Sequence, residues 1–216
     1  GAGRIGKIHA RNVTAHPKAK LIAVADPIAD AVNPLAKELG AEALLDPFAA
    51  IAHPDVQAIV IGTPTDTHAP LMLRAVELGK AVLCEKPVDS TLAKSQAVVD
   101  KIAKHDAKVM MAFNRRFETS FAEIRRAIEA GEIGDVRQVI ISSRDPGMPP
   151  PAYVAASGGI FRDMTIHDLD MARFLLGEEP VEVSAIASRI VDAELTGKHE
   201  DYDTVMINMK TASGKQ

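Results

Sequence analysis

The 216-residue sequence has one cysteine, few clustered basic residues and no long apolar run, and each shortage excludes a class of protein. Cys84 has no partner for an internal disulfide, so the sequence favours a reducing compartment such as the cytoplasm. The apolar runs are far shorter than the roughly 20 residues of a membrane-spanning helix, so we expect no membrane partner. A net charge of −4 excludes a general nucleic-acid binder, which needs a concentrated basic surface.

The sequence begins directly on a glycine loop, without an initiator Met and without the basic and apolar segments of a signal peptide. Such a loop normally follows a strand, and residues 211–216 resemble part of a hairpin. We therefore expect the sequence to start and stop inside a longer protein, with a strand missing before Gly1.

Residues 1–113 alternate short apolar runs with helical patterns, which predicts a parallel sheet with right-handed helical crossovers. Runs that are apolar throughout indicate strands covered on both faces, and they lie at 21–25, 43–45, 58–61, 81–84 and 109–112. Helices are predicted at 28–39, 69–78 and 90–105. Ser90 is expected to cap the last helix, and Pro34 predicts a break in the first near Asn33. Residues 1–113 are therefore predicted to form a doubly wound α/β Rossmann domain.

Residues 114–216 follow a different pattern, in which helices are set among longer strand patterns. Helices are predicted at 117–130 and 162–176, and strands at 136–143, 181–191 and 203–210. A proline-rich loop is expected around 146–151. Long strands without helical crossovers favour antiparallel pairing. This second domain, 114–216, is therefore predicted as an α+β domain with a mainly antiparallel open sheet.

Gly1, Gly3 and Gly6 match the G-x-G-x-x-G pattern of a dinucleotide site. The first glycine permits a tight turn, the second lets a pyrophosphate approach the backbone, and the third lets the helix pack on a strand. Arg4 and Ile5 lie inside the loop and are candidate cofactor contacts, because the positive end of the helix dipole faces the phosphates there. A plain glycine-rich turn is the alternative.

Asp26 ends the next predicted strand, 20 residues after Gly6. An acidic residue at this point accepts hydrogen bonds from the adenosine ribose and repels a 2′-phosphate. The next residue is Pro27 rather than a basic residue, so the sequence favours NAD over NADP as the cofactor. The alternative for Asp26 is an ordinary turn residue at a strand end.

Two polar segments follow the predicted strands 58–61 and 81–84, at the edge where ligands bind in a doubly wound sheet. The first segment supplies Thr63 and His68 as candidate cofactor contacts, although its polar residues also suit a helix cap. The second is Glu85-Lys86-Pro87, in which Glu85 is a further cofactor candidate and Lys86 a catalytic candidate. Pro87 restricts the backbone of Lys86, whereas an ordinary strand-end lysine is simply solvated.

Asp163 and His167 are four residues apart in a predicted helix, which places them on one face. An Asp beside a His can orient the imidazole and stabilise its protonated form, as a general base requires. The alternatives are a surface ion pair and a zinc site. No convincing third and fourth zinc ligand accompanies them, so we expect no metal.

Taken together, these motifs resemble the Gfo/Idh/MocA oxidoreductase family over essentially the whole sequence. The matching segments are 1–6, 85–87, 114–117, 143–146 and 157–173, and the stretch 158–168 resembles the branch of the family that acts on inositol. Family members also have a strand before the glycine loop and further elements after position 216. Full activity is therefore expected only of a longer protein.

The resemblance implies NAD-dependent oxidation of a polyol ring hydroxyl to a ketone, with myo-inositol giving scyllo-inosose as the expected reaction. It places the lysine, aspartate and histidine of the family's catalytic set on Lys86, Asp163 and His167. His167 would take the hydroxyl proton, Asp163 would hold the imidazole, and Lys86 would stabilise the developing alkoxide. It also implies a homotetramer joined through the second domain, and substrate contacts from Asn114, Arg115, Asp145 and Thr165.

Three other functions stay open at this point. Another NAD(P)-dependent sugar dehydrogenase of the same family would share all these motifs. A non-catalytic NAD-binding regulator would keep the fold but lose the lysine and the Asp/His pair, which this sequence keeps. A zinc hydrolase would require a bound metal. The dehydrogenase chemistry requires Lys86 and His167 to meet at one nicotinamide ring.

Overall fold

A computed structural model describes the backbone of residues 1–216 and all side chains except that of residue 156. The chain divides into two compact units, unit 1 (Gly1–Ala112) and unit 2 (Phe113–Gln216). Strands pair in parallel and alternate with helices in unit 1, whereas the strand pair of unit 2 is antiparallel. The predicted fold class, a Rossmann-type α/β part followed by an α+β part, is confirmed.

Unit 1 begins with the glycine loop and then alternates helices with short strands. Its elements, in chain order, are α1 Arg4–Ala15, β1 Ala23–Ala25, α2 Ala29–Leu39, β2 Glu42–Leu44, α3 Pro47–Ala52, β3 Ala58–Ile61, α4 His68–Glu77, β4 Ala81–Cys84, α5 Leu92–Ile102 and β5 Val109–Met111. A 3₁₀ turn, Thr65–Thr67, leads into α4. Each predicted strand of this unit is therefore present, within two residues of its expected bounds.

The parallel pairing of β3, β4 and β5 determines where the loops of unit 1 lie. Ile61 at the end of β3 pairs with Cys84 at the end of β4, which pairs with Met111 of β5. The Glu85 N–H extends this ladder by donating to the Ile61 carbonyl oxygen at 2.9 Å. Because parallel strands end at the same edge, the segments that follow β3 and β4 begin side by side.

Two apolar clusters stabilise this scaffold. In the first, Met72 and Ala75 of α4 pack with Cys84 of β4, all fully buried. In the second, Val32 and Leu35 of α2 pack with residues of β1 and of the glycine loop. A fully buried large apolar side chain contributes about 1.5–3 kcal/mol relative to an exposed one, so both clusters contribute strongly to holding the loops in place.

Strands β1 and β2 form a sheet of their own and do not join β3 in the described chain. A cavity of about 810 Å³ lies between the two sheets, lined by residues 21–25, residues 57–61 and one side of α1. Facing strand edges expose backbone N–H and C=O groups that can pair with a further strand. The parallel sheet is therefore interrupted between β1 and β3.

Helix α2 runs without a break through Pro34, so the break predicted near Asn33 is wrong. A proline inside a helix removes one hydrogen bond and crowds the carbonyl four residues earlier, at a cost of about 3 kcal/mol. Here Val32 and Leu35 on either side of the proline are buried in the second apolar cluster. Their burial offsets the cost of the proline and keeps the helix continuous.

Helix α5 begins later than predicted, and its cap is Thr91 rather than Ser90. The Thr91 hydroxyl accepts a hydrogen bond from the Lys94 N–H at 3.3 Å. Ser90 lies before the helix, where its hydroxyl donates to Asp89 at 3.1 Å. A side chain caps a helix when its oxygen reaches an N–H group two or three residues on, and Thr91 does so.

Unit 2 combines helices with one antiparallel strand pair, in which Ser188 pairs with Thr204 and Pro180 with Thr211. Its elements are the 3₁₀ turn Asn114–Phe117, α6 Thr119–Glu129, α7 Pro151–Ser157, α8 Ile160–Asp163, α9 Thr165–Leu176, β6 Pro180–Ser188, α10 Ala193–Lys198 and β7 Thr204–Thr211. None of the helices described in either unit has both the length and the apolar character needed to cross a membrane.

The strand predicted at 136–143 is wrong, because these residues, all described, are assigned to no strand. The segment instead exchanges two backbone hydrogen bonds with Gln216. Val139 donates to the Gln216 carbonyl at 2.9 Å, and Gln216 donates to the Arg137 carbonyl at 3.0 Å. Two bonds to one residue hold the segment in place without forming a regular ladder.

The helix predicted at 162–176 is divided at Met164 into α8 and α9. Asp163 therefore ends one helix and His167 lies in the first turn of the next, so the prediction that they share one continuous helix is wrong. The His167 N–H donates to the Met164 carbonyl, three residues earlier, at 3.2 Å. Helices α7 and α10 were not predicted, because seven and six residues are too few for a recognisable apolar period.

The reactivity of the buried Cys84 thiol toward a disulfide reagent reports whether unit 1 is folded. Cys84 is 0% exposed, and burial, together with the negative charge of Glu85, raises its pKa to about 12. The thiolate is the reactive form, and burial both disfavours the thiolate and shields the sulfur from a reagent. We expect a disulfide reagent such as DTNB to leave Cys84 unlabelled in the folded protein, and to label it once denaturant unfolds the protein.

A Cys84→Ser variant is the control, because the difference between the two proteins isolates the labelling of Cys84. Fast labelling of the folded protein at pH 8 contradicts the burial of Cys84 in the β4 core.

Candidate active site

The glycine loop is tightly packed at its two ends and open at its middle glycine. A Cβ atom on Gly6 would lie 1.9 Å from the Gly1 carbonyl oxygen, and one on Gly1 would lie 2.5 Å from the Gly62 carbonyl oxygen. These two positions accept only glycine for reasons of space. A Cβ atom on Gly3 would meet nothing within 4 Å, so the backbone at Gly3 remains accessible to a ligand.

Helix α1 begins at this open position. Gly3 is its N-cap, no side chain caps the helix there, and Arg4 and Ile5 form its first turn. The first N–H groups of a helix have no partner within the helix, and the positive end of its dipole favours an anion. The loop residues predicted from the sequence therefore fit a pyrophosphate group.

The Asp26 carboxylate is bonded to the backbone through both oxygens. Oδ2 accepts from the Ala2 N–H at 2.8 Å, and Oδ1 accepts from the Ile28 N–H at 2.9 Å. Each carboxylate oxygen has a second acceptor site, so these bonds fix the carboxylate while leaving it able to accept from a ribose. Asp26 thus anchors the glycine loop, a role that its position in the sequence did not reveal.

Glu85 links the end of β4 to α1 through a hydrogen bond with His9, in which Oε1 and Nε2 are 2.8 Å apart. Burial by itself raises the pKa of Glu85. The hydrogen bond and charge of His9, with the N–H and charge of Lys86, outweigh burial, and the pKa is lowered overall. Glu85 is therefore ionised at neutral pH, and one of its oxygens is already occupied.

His68 does not fit the cofactor contact expected from the sequence. The side chain is 1% exposed at the start of α4. Its Nδ1 lies 2.8 Å from the Pro87 carbonyl oxygen, and its Nε2 lies 2.9 Å from the Thr63 carbonyl oxygen. With both nitrogens facing backbone carbonyls, the ring has no polar atom left for a cofactor. We therefore correct its role: His68 joins the segment after β3 to the segment after β4.

Thr63 and Lys86 lie in the two segments that His68 joins. Thr63 is half-buried, and its hydroxyl oxygen is 2.6 Å from that of Thr67. Lys86 is also half-buried and directly follows Glu85 at the end of β4, with a cis peptide bond to Pro87. Both residues are therefore at the carboxyl edge of the β3–β4 sheet, as the sequence predicts for cofactor-side residues.

Unit 2 contains a cavity of about 490 Å³, within the roughly 300–1,000 Å³ that is usual for small-molecule sites. Three residues predicted from the sequence line it, namely the substrate candidates Asp145 and Thr165 and the catalytic candidate Asp163. Apolar side chains such as Leu169 and Met209 form other parts of its wall. Carboxylates and hydroxyls set in an apolar wall suit a small polar ring.

Asp163 is held by a tyrosine that the sequence patterns did not single out. The Tyr153 hydroxyl, on α7, donates to Asp163 Oδ1 at 2.9 Å, and both residues line the cavity. A hydrogen bond to a charged acceptor contributes about 1.5–3 kcal/mol when both partners are shielded and less when they are exposed. No sequence period marks Tyr153, because α7 is short and follows a proline-rich loop.

Thr165 is 5% exposed, and its hydroxyl donates to the Phe161 carbonyl oxygen at 3.1 Å. Its single proton is therefore used in a bond from α9 to α8, and only its lone pairs could meet a substrate. His167 is half-buried, and its ring meets the Phe113 ring edge-on with centroids 6.4 Å apart. Among the described residues, the lining of the 490 Å³ cavity does not include His167, Asn114 or Arg115.

Arg115, an expected substrate contact, is paired with Asp168 of α9. The Ser143 hydroxyl donates to the same oxygen of Asp168 at 2.6 Å and lies 3.3 Å from the Arg115 guanidinium. A guanidinium has five N–H donors, so this pairing leaves others for a substrate. Its first effect is to hold the turn of α9 that contains His167.

The neighbouring Arg116 holds α9 from a second direction. Its Nε and Nη2 donate to the two oxygens of Asp170 at 2.8 and 2.5 Å, and Asp170 is only 4% exposed. Arg116 also lies over the Phe174 ring, 5.1 Å from its centroid. Sequence analysis missed both arginine–aspartate pairs. The available signal was the Arg-Arg dipeptide, matched by two aspartates two positions apart in a predicted helix.

Within the described residues, no group of three or more His, Cys, Asp or Glu side chains is placed to hold a metal ion. The acidic site residues whose contacts are described above are instead bonded to backbone N–H groups, to arginines, or to the side chains of His9, Ser143 and Tyr153. Their chemistry is that of hydrogen-bond donors, acceptors and proton carriers.

Three comparisons with known proteins bear on this site. The chain is 50% identical over 217 residues to the inositol 2-dehydrogenase of Rhizobium meliloti (strain 1021), covering 100% of this chain and 65% of that protein. A myo-inositol dehydrogenase structure from Corynebacterium glutamicum ATCC 13032 is 46% identical with a TM-score of 0.94, covering 100% of this chain and 64% of that one. A scyllo-inositol dehydrogenase from Lactobacillus casei, solved with NAD(H) and scyllo-inositol, is 30% identical with a TM-score of 0.81, covering 100% and 65%. The chain thus spans a little less than two thirds of each of these relatives.

Two family models match the chain, one for each part. Residues 1–113 match the Gfo/Idh/MocA oxidoreductase family with its NAD-binding Rossmann fold, and residues 121–216 match the C-terminal domain of the same family. The first match alone covers more than half of the chain and includes the glycine loop and Glu85-Lys86-Pro87. The chain therefore belongs to the Gfo/Idh/MocA oxidoreductase family.

Proposed function

We propose that the whole protein to which this chain belongs oxidises one ring hydroxyl of an inositol to a ketone, with NAD as the hydride acceptor. The observation that carries the proposal is the cavity of unit 2, in which Asp145, Asp163 and Thr165 face one space of about 490 Å³. The relatives named above include inositol dehydrogenases and one structure with NAD(H) and scyllo-inositol bound. Myo-inositol giving scyllo-inosose is the reaction that we expect first.

The residues of unit 1 fit NAD on structural grounds. Gly3 leaves open space beside the start of α1, where backbone N–H groups would hold the pyrophosphate. Asp26 is fixed by Ala2 and Ile28 and retains acceptor sites for the two ribose hydroxyls. A carboxylate so placed repels a 2′-phosphate, which supports NAD rather than NADP. Bound NAD supplies the acceptor for the hydride that leaves the carbinol carbon.

We assign three side chains to the chemical step. His167 takes the proton of the hydroxyl group as general base, while the C–H bond breaks and the C=O bond forms. Asp163 favours the protonated imidazole, and the Tyr153 hydroxyl orients its carboxylate. Lys86 donates a hydrogen bond to the same hydroxyl oxygen and stabilises its developing negative charge. We further propose that Asn114, Arg115, Asp145 and Thr165 contribute to recognising the other ring hydroxyls.

We also propose that the protein acts in the cytoplasm, in polyol catabolism, as a homotetramer joined through unit 2. Support for association comes from the β6–β7 pair, where the cross-strand partners Ile186 and Met206 lie on one face and are both more than 70% exposed. Exposed apolar side chains on one sheet mark a surface for association. The reduced, buried Cys84 supports a compartment without disulfide formation.

The function is tested by NADH absorbance with the purified whole protein and a panel of inositols, aldoses and their phosphates. We expect turnover with myo-inositol or scyllo-inositol, and a loss of roughly 10²–10⁴-fold in kcat for Lys86→Met or His167→Asn, because each variant removes one proton or hydrogen-bond function. NAD affinity should remain within about threefold in both variants.

Lys94→Met is the matched control, because Lys94 is an exposed lysine of α5. NAD binding without turnover on any polyol would favour a non-catalytic NAD-binding protein. Turnover on aldoses but not on inositols would favour another sugar dehydrogenase of the family.

The glycine loop gives a second prediction: a substitution at Gly3 should lower the affinity for NAD, whereas one at Gly6 should prevent folding. Gly3→Ala places a methyl group in the open space reserved for the pyrophosphate, so we expect NAD affinity to fall about tenfold with an unchanged melting temperature. Gly6→Ala forces its methyl group against the Gly1 carbonyl, so we expect loss of folding. Calorimetric titration with NAD and thermal unfolding measure the two effects. Equal affinity in Gly3→Ala and the unmodified protein excludes this loop as the phosphate site.

Tyr153→Phe tests the orientation of Asp163. Removing the hydroxyl deletes one hydrogen bond to the carboxylate, so we expect kcat to fall roughly 3–10-fold, the equivalent of about 0.5–1.5 kcal/mol. Circular dichroism and the melting temperature should not change. Tyr202→Phe is the comparison variant, because Tyr202 also lines the cavity but packs on Phe161. A loss of equal size in both variants would remove the specific role of Tyr153.

A further inference from the structure

His68 is buried between two loops, and the proposed function gives it no task. It is the first residue of α4, and its ring lies between the segment after β3 and the segment after β4. The Thr63 and Pro87 carbonyl oxygens that face its two nitrogens can only accept hydrogen bonds. The ring therefore bridges the two loops: a protonated ring donates to both carbonyl oxygens, and a neutral ring, which has a single N–H, donates to one of them.

Pro87, whose carbonyl oxygen faces Nδ1 of His68, directly follows Lys86 in the chain. On the other side of Lys86, Glu85 is fixed twice: its N–H donates to the Ile61 carbonyl at 2.9 Å, and its carboxylate pairs with His9 at 2.8 Å. Pro87 has no N–H group of its own, so its carbonyl oxygen is the polar backbone atom through which it can be held. The backbone of Lys86 is therefore bracketed by Glu85 before it and by the His68 contact after it.

We propose that His68 is a positioning residue for Lys86, acting through an Nδ1–H group that donates to the Pro87 carbonyl. The proposal rests on the proposed function, in which the Lys86 ammonium group stabilises charge on the reacting oxygen. Hydrogen-bond donors to such an oxygen must be held within about half an ångström of their working position. A lysine has a long, flexible side chain, so fixing the backbone on both sides limits the volume that its ammonium group explores.

The two arms of the bridge can be removed separately. The side-chain nitrogen of asparagine is as many bonds from the backbone as Nδ1 of histidine, and that of glutamine as many as Nε2. His68→Asn therefore keeps a donor for Pro87 and loses the one for Thr63, whereas His68→Gln keeps a donor for Thr63 and loses the one for Pro87. Both replacements are uncharged and both open a small space at a buried position, so each serves as the control for the other.

In the whole protein we expect His68→Gln to lower kcat about tenfold and His68→Asn to lower it less than about threefold, with KM for NAD similar in both. Both variants should lose similar thermal stability, because each loses one buried contact. In a Lys86→Met background the further loss from His68→Gln should disappear, since residues that act through one another are not additive. Equal kcat losses in the two variants, or a full effect of His68→Gln without Lys86, overturns the proposal.

Amide hydrogen exchange tests the same bridge without catalysis. We expect faster exchange in peptides that cover residues 85–89 for His68→Gln than for His68→Asn, and the reverse in peptides that cover residues 62–67. If the unmodified protein turns over no polyol, the proposed function fails. The exchange pattern still shows whether the contact between His68 and the Pro87 carbonyl holds residues 85–89 in place. If exchange is the same in both variants, the bridge is wrong even for an active enzyme.

Discussion

The parallel register of β3 and β4 is the constraint on which the geometry of unit 1 depends. With Ile61 opposite Cys84, the two strands end together, and the segments that follow them start side by side. The Gly62 carbonyl then lies where Gly1 must pack, and α1 takes its direction from that contact. A slip of one residue would turn every side chain of a strand to its other face. Cys84 would then leave the core, and Glu85 would lose its alignment with His9. The pairing of β3 with β4 therefore determines the positions of both the glycine loop and the segment that contains Lys86.

The strands of this sheet could be predicted from the sequence because their signal is local. Residues 58–61 and 81–84 are uniformly apolar and bounded by polar or glycine-containing segments, and the structure assigns strands at those bounds. Predictions failed where a distant contact outweighed the local pattern. Pro34 does not break α2, because Val32 and Leu35 are buried against residues elsewhere in the chain. Residues 136–143 have a strand pattern, but they form no regular ladder. The segment instead exchanges two backbone hydrogen bonds with Gln216.

Site residues follow the same division between local and distant information. The spacing of Gly1, Gly3 and Gly6 encodes a backbone shape, so the sequence alone indicates both the residues and their task. His68 and Arg115 were also selected from the sequence, but their partners are 19 and 53 residues away along the chain. A sequence motif identifies such a residue, but it does not reveal which distant residue that side chain contacts. The structure therefore changes the role of His68 from a cofactor contact to a bridge, and adds Asp168 and Ser143 to the surroundings of Arg115.

The two units position their functional residues by different physical means. In unit 1 the loops are fixed by close backbone packing and by carboxylates that accept from N–H groups. In unit 2 helix α9 lies beside a cavity, and apolar contact is non-directional, so packing defines the rotation of the helix about its axis less sharply than directional bonds do. Asp168 and Asp170 are two positions apart on a helix with 3.6 residues per turn, so they point to nearly opposite sides. Because Arg115 and Arg116 come from one short 3₁₀ turn and each pairs with one aspartate, only a narrow range of helix rotation satisfies both pairs. A buried ion pair adds little net stability, and its use here is consistent with fixing the direction in which His167 points.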